Sequence, residues 1–246
     1  MAEIKDLFLQ TAGEGPLVVL LHGLLMNGES WQQSGLVAAL SPHFRVAYPD
    51  LPGHGRSGNA APVTAYSQRE LAAGIIRVID RLGYQKAHIL GYSAGGWLAT
   101  GLAEAYPQRL SSLIIGGWDI INGLPQGPNG ALSFDDFMAF AREIAPALAN
   151  QVTEENEASI RAFFSCLAKP QQVAERLKQN KVPTLFWAGR EDPCYPAVAG
   201  WAANNAMPLL TAEGDHLASM LEPGVEIREK ICRFLIDAES AATQKT

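Results

Sequence analysis

The chain has 246 residues, 48% hydrophobic and 18% charged, which is enough to bury a large core and too apolar for an intrinsically disordered chain. Its formal net charge of -6 argues against the clustered basic surface that nucleic-acid phosphates require, and equally against an anionic membrane as partner. No apolar run approaches the roughly 20 residues that span a bilayer, and the first residues lack a basic segment leading into a long apolar one, so a cytoplasmic protein is expected.

In chain order, Ile4 to Leu9 alternates in part and Thr11 to Pro16 has turn chemistry, after which Leu17 to Leu21 is continuously apolar and reads as a strand buried on both faces. His22 to Gly28 is a glycine-containing loop, and a helical pattern starts at Ser30 and takes in Trp31, Leu36, Val37 and Leu40. Phe44 to Tyr48 is a short strand, and Pro49 to Gly58 is too rich in proline and glycine for a regular element. From Tyr66 to Leu82 the spacing of Leu71, Ile75, Val78, Ile79 and Leu82 predicts a helix, with Gly83 as its stop.

Ala87 to Leu90 is the next strand, followed by Gly91-Tyr92-Ser93-Ala94-Gly95 and a helical pattern that Pro107 closes. Leu113 to Ile115 is a further strand. Short apolar strands alternating with amphipathic helices imply a mostly parallel sheet with helices on both faces, and ligands gather at the carboxyl ends of such strands.

From Trp118 the rhythm breaks. Asn122 to Gly130 is rich in glycine and proline, and helical stretches without an obvious strand run to Lys181, so residues 120–180 read as an inserted helical cap on a core of 1–119 and 181–246. The strand rhythm resumes at Val182 to Gly189, a last short strand begins at Leu209-Leu210, and Val225 to Leu235 is the closing helix, with frayed residues beyond Ala238.

A serine on a strand-turn-helix junction with glycine two places either side is lifted out of a strained turn, and to act as a nucleophile it needs a base, an orienting group and oxyanion donors. Gly189-Arg190-Glu191-Asp192-Pro193 and Glu213-Gly214-Asp215-His216 each follow a strand, so a carboxylate and an imidazole emerge where Ser93 does. His22 and His54 look like loop-stabilising residues, His88 sits in a strand and His43 is solvated; Asp50 and Asp215 read as loop carboxylates bonded to backbone. Cys166, Cys194 and Cys232 are odd in number and lack C-x-x-C spacing, which suggests neither a disulfide framework nor a thiolate zinc site. No metal-ligand spacing and no phosphate-cradling loop is present, so no cofactor is expected.

The order Ser93, Asp192, His216, together with His22-Gly23, Asp50 to Ser57 and Gly91 to Gly96, resembles the α/β-hydrolase superfamily over nearly the whole chain. The resemblance implies an α/β-hydrolase fold in which Ser93 is nucleophile, His216 base and Asp192 its orienting acid, with the backbone N–H groups of Leu24 and Ala94 at the oxyanion. Asp119 competes for the orienting role, since some relatives take the acid from that earlier strand. The implied activity is a carboxylesterase-like serine hydrolase acting on a small-molecule acyl ester or thioester. A carbon-carbon bond hydrolase, a lyase or a slow-turnover small-molecule receptor are the alternatives. Epoxide hydrolase and dehalogenase chemistry is disfavoured, because those relatives need an aspartate where Ser93 stands. Trp118, at a strand end where the cap begins, is the candidate pocket residue, and Phe134, Phe137, Met138, Phe140, Phe163 and Phe164 are candidates to roof an apolar pocket.

Overall fold

The computed structural model describes residues 7–59, 63–127, 130–168 and 173–243. The first half runs β1 (Leu9–Ala12), β2 (Leu17–Leu21), α1 (Glu29–Gln33), α2 (Leu36–Leu40), β3 (Arg45–Pro49), α3 (Gln68–Arg81), β4 (Ala87–Tyr92), α4 (Ala94–Ala105) and β5 (Leu110–Gly116). A two-residue hairpin, β6 (Gln126–Gly127) and β7 (Gly130–Ala131), precedes α5 (Phe134–Ile144), α6 (Pro146–Ala149), α7 (Glu157–Leu167) and α8 (Ala174–Gln179). The chain finishes with β8 (Thr184–Gly189), α9 (Tyr195–Asn204), β9 (Leu209–Ala212), α10 (Ala218–Leu221) and α11 (Gly224–Thr243).

The main sheet has the order β1-β3-β2-β4-β5-β8-β9. Only β1 is antiparallel, on β3; the other pairs are parallel. The unbroken apolar runs of β2, β4 and β8 are buried along their whole length, as strands covered on both faces must be. Alternate residues feed two cores: Val19, Leu21, Ile89, Leu113 and Ile115 pack with α3 and α4, while Val18, Leu20, Leu90 and Ile114 pack with Trp31, Leu36 and Leu40 of α1 and α2 and with Ile227, Ile231 and Leu235 of α11. The helix-covered, mostly parallel sheet read from the sequence is therefore the fold.

Several local expectations differ. β1 reaches Ala12, so part of the stretch read as turn is an edge strand paired with β3. The helical pattern from Ser30 is two helices, because Gly35 takes φ 75° and breaks it. Residues beyond Ala238 stay helical as far as Thr243, and one reason is visible: Glu239 Oε2 lies 3.1 Å from Nε2 of the buried His88, which ties the last turns to the sheet.

The segment from β6 to α8 lies between β5 and β8, which are neighbours in the sheet. The sequence reading there missed the small hairpin. α5 buries Phe134, Met138 and Ala141, and the rings of Phe134 and Phe137 pack on Phe164 of α7 at 5.6 and 5.3 Å. α7 in turn seats on the loop after β3: Phe163 packs against His54 and Trp97 at 5.5 and 5.8 Å, and Asn156 Nδ2 donates to the Gly53 carbonyl at 3.3 Å. Of the candidate roof residues, Phe163 is fully buried among core aromatics, whereas Phe140 is 58% exposed.

Candidate active site

The turn after β4 is built by steric exclusion. A Cβ on Gly91 would run into the Gly95 carbonyl, and one on Gly95 into the Leu21 carbonyl at the end of β2. With both positions bare, α4 starts hard against the sheet and Ser93 is forced to φ 55°, ψ -117°, a conformation that side-chain-bearing residues rarely adopt. Its N–H donates to Gly116 O at 2.8 Å and its carbonyl accepts from Trp97 N–H at 2.9 Å, so the main chain of Ser93 is clamped between β5 and α4.

The loop after β2 lies alongside. A Cβ on Gly23 would come within 3.2 Å of Ser93 Cβ. Gly23 O accepts from Met26 N–H at 3.2 Å, closing a turn in which Leu24 is the first central residue and Leu25 the second, at φ 64°. The N–H of Leu24 takes no part in that turn bond. Among the described residues, non-glycine positive φ occurs at Leu25, Ser93 and Ala206, so two of the three strained residues flank this spot, where strain is most often functional. Nothing in the residue type at Leu25 signals it.

On the loop after β9, His216 Nδ1 lies 2.7 Å from Asp192 Oδ2. The Asp192 side chain is 2% exposed, and its other oxygen accepts from Cys194 N–H at 3.0 Å. Burial pushes the Asp192 pKa up, but the His216 hydrogen bond and charge, with the Cys194 contacts, outweigh it and hold the carboxyl below its ordinary value. Asp119 faces elsewhere: its oxygens accept from Ile121 N–H, Asn122 N–H and Asn122 Nδ2 at 2.8 to 2.9 Å. No hydrogen bond joins Ser93 Oγ to His216 among the described residues, a contact that commonly tightens only with substrate bound. The two are linked through Tyr92, whose ring centroid is 5.3 Å from that of His216. Trp118 is 5% exposed, its Cβ 3.0 Å from where a Cβ on Gly96 would stand.

The remaining polar residues hold loops. Asp50 accepts from Gly28 N–H and Arg56 N–H, both at 2.7 Å, and Asp215 caps α10 by accepting from Leu217 and Ala218 N–H. His22 donates from Nδ1 to Gly23 O at 2.8 Å and accepts at Nε2 from Leu51 N–H at 2.9 Å, which joins the loops after β2 and β3. His54 Nδ1 bonds Pro52 O at 3.0 Å. His88, at the other end of β4 from Ser93, bonds Ser112 Oγ at 2.8 Å, and His43 is exposed. The histidines and carboxylates expected to be structural do hold structure. Cys166 and Cys194 are buried free thiols and Cys232 a half-buried one. Among the described residues, no group of three or more His, Cys, Asp or Glu could hold a metal ion, and no helix is long and apolar enough to cross a membrane.

Burial lowers the pKa of His22 from 6.5 to about 4, and burial reinforced by His22 lowers that of His54 to about 3. The unfolded chain takes up these protons below about 6.5 while the folded chain refuses them, so stability present above that pH is lost as pH falls toward 4. For His22 alone the shift corresponds to about 3 kcal/mol. Melting temperature should therefore fall steadily from pH 6.5 to 4, and His54→Gln, which keeps a polar side chain without a titrating ring, should flatten part of that slope. Identical slopes in the two proteins would show that this histidine pair does not govern acid stability.

Residues 16–158 match the family model described as "alpha/beta hydrolase fold". The chain is 30% identical to a pimeloyl-[acyl-carrier protein] methyl ester esterase of Vibrio cholerae serotype O1, over 94% of this chain and 97% of that protein. It is 45% identical to the enzyme of the same name from Vibrio campbellii over 109 residues, which span only 39% of that relative and 44% of this chain. Among solved structures, a thermophilic esterase from Thermogutta terrifontis superimposes with a TM-score of 0.75 at 21% identity, covering 94% of this chain and 93% of that one. At that identity the likeness speaks for the fold alone.

Proposed function

The chain belongs to the α/β hydrolase fold family, and from that premise we propose that it is a serine hydrolase cleaving a small or medium acyl ester or thioester through an acyl-enzyme. Ser93 Oγ attacks the acyl carbon while His216 Nε2 takes its proton; Asp192, bonded to Nδ1, selects the tautomer that leaves Nε2 free and stabilises the imidazolium that forms. The proton then passes to the leaving alcohol or thiol. Water, activated by the same imidazole, cleaves the acyl-enzyme and regenerates Ser93.

The N–H of Ser93 is already committed to Gly116 O, so the oxyanion donors in this reading are its neighbours. Ala94 N–H opens α4, where unsatisfied amides and the helix dipole favour developing negative charge, and Leu24 N–H is left over from the Gly23–Met26 turn. Residues 120–180 act as a cap above the strand ends, with Trp118 at its base contributing to the pocket wall. The observation that carries the proposal is the bond between His216 and the buried Asp192, together with a serine held at positive φ at another strand end of the same sheet. The relatives named as methyl ester esterases favour a carboxylic ester over a carbon-carbon bond.

A panel of p-nitrophenyl esters from acetyl to decanoyl should be hydrolysed, with turnover abolished by one equivalent of a fluorophosphonate whose mass maps to Ser93. Label on another residue with activity lost would move the nucleophile. Ligand-dependent melting shifts without turnover would favour the receptor reading.

A further inference from the structure

Tyr92 occupies the unspecified position between Gly91 and Ser93, and the turn itself makes no demand on its side chain. The phenol nevertheless crosses to the loop between β9 and α10. Its hydroxyl donates to the carbonyl oxygen of His216 at 2.8 Å and lies 2.5 Å from Ser219 Oγ. A phenol has one proton, and that proton serves His216, so Ser219 is the donor in the second bond. The ring packs edge-on against Trp187 at 4.9 Å, and Tyr92 and Ser219 are both fully buried. Burial, followed by the charge of Asp192, pushes the Tyr92 pKa well up, so the phenol remains a donor.

The space for this ring is made by glycines at two neighbouring strand ends. A Cβ on Gly116 would collide with Tyr92 Cδ2, and one on Gly117 would come within 2.6 Å of the phenol ring and 3.0 Å of His216 Cε1. On β8, a Cβ on Gly189 would stand 2.9 Å from Ser219 Cβ and crowd the carbonyls of Gly214 and Asp215. β5 and β8 thus both end bare where the Tyr92–Ser219 contact and the His216 loop must fit. Asp192 holds His216 only at its ring, so the main chain carrying that ring must be fixed by other bonds if the reacting groups are to keep the sub-ångström alignment that proton transfer needs.

We propose that Tyr92 is a positioning residue that clamps the main chain of His216 to the strand bearing Ser93. The residue covalently next to the nucleophile is hydrogen-bonded to the backbone of the base, so the two reacting groups share one rigid mount. This rests on the assignment of Ser93 and His216 as nucleophile and base.

Tyr92→Phe deletes the hydroxyl and keeps the ring. Its kcat toward a p-nitrophenyl ester should fall about 10- to 100-fold with KM held within about twofold, since the loss is of alignment and not of binding. The downfield proton resonance of the His216 Nδ1–H should broaden as the loop loosens, a change that a purely structural role would not produce. If Tyr92→Phe folds too poorly to assay, Ser219→Ala carries the test, because it removes one hydroxyl from the clamp and should lower kcat about 3- to 10-fold at unchanged KM. Unchanged kcat and resonance in the variant assayed overturn the proposal even if melting drops. Ser93→Ala and His216→Gln, assayed in parallel, separate the two claims: if both are inactive while Tyr92→Phe matches wild type, only the clamp is wrong, whereas an active His216→Gln removes the base assignment beneath it.

Discussion

Ser93→Ala is expected to lower kcat on a simple ester by about 10⁶-fold, the size of loss seen when a triad serine is removed from a well-studied protease, which is roughly 8 kcal/mol of transition-state stabilisation. The fold should survive. Ser93 holds its place through main-chain bonds to Gly116 and Trp97, which alanine makes equally well, and the strain at φ 55° is the same for either side chain. A residual rate of about 10³- to 10⁴-fold over water is expected from the oxyanion donors and from substrate binding alone. Steady-state kinetics together with a melting curve decides the matter: a variant as stable as wild type that keeps more than a hundredth of its turnover would mean that another group attacks the carbonyl.

Asp192→Asn should cost about 10⁴-fold in kcat, the magnitude known for the orienting acid of a serine triad. The reason is tautomeric. Asparagine presents an N–H to His216 Nδ1, so Nδ1 must accept, the ring proton moves to Nε2, and Nε2 can no longer take the proton that the proposed mechanism gives it. Since the site of Asp192 is nearly closed to solvent, water cannot restore the lost carboxylate. Asp119→Asn is the matched control. Its carboxylate accepts, among the described residues, from the local turn at Ile121 and Asn122, which asparagine closes nearly as well, and a loss under tenfold is expected. Should the two variants show the opposite pattern, the orienting role would pass to Asp119, with Ser93 and His216 left in place.

Much of this was legible in the chain because its causes are local. The unbroken apolar runs of β2, β4 and β8 read directly as strands covered on both faces. Gly91 and Gly95 announce the turn at Ser93, because only residues without Cβ let α4 begin so close to the ends of β2 and β4. The extra turns of α11 were not legible: a polar tail reads as frayed unless one knows that Glu239 meets a buried histidine in β4. The segment from β6 to α8 was visible as a break in rhythm, but not which of its aromatics would turn inward, since Phe140 and Phe163 look alike in sequence and end up at opposite extremes of exposure.

By itself the sequence determined the layering of the sheet, the strained serine and the candidate set of acids and bases, because backbone sterics and hydrophobic period act over a few residues. Only the tertiary structure brought Asp192, and not Asp119, against His216 and gave Tyr92 its partners. Asp119 lies just past the end of β5 and Asp192 just past that of β8, adjacent strands whose ends face the same loop, so no spacing in the chain separates them. The choice is one of reach: the loop after β8 turns Asp192 inward onto the imidazole, while the carboxylate of Asp119 is spent on the turn that follows it.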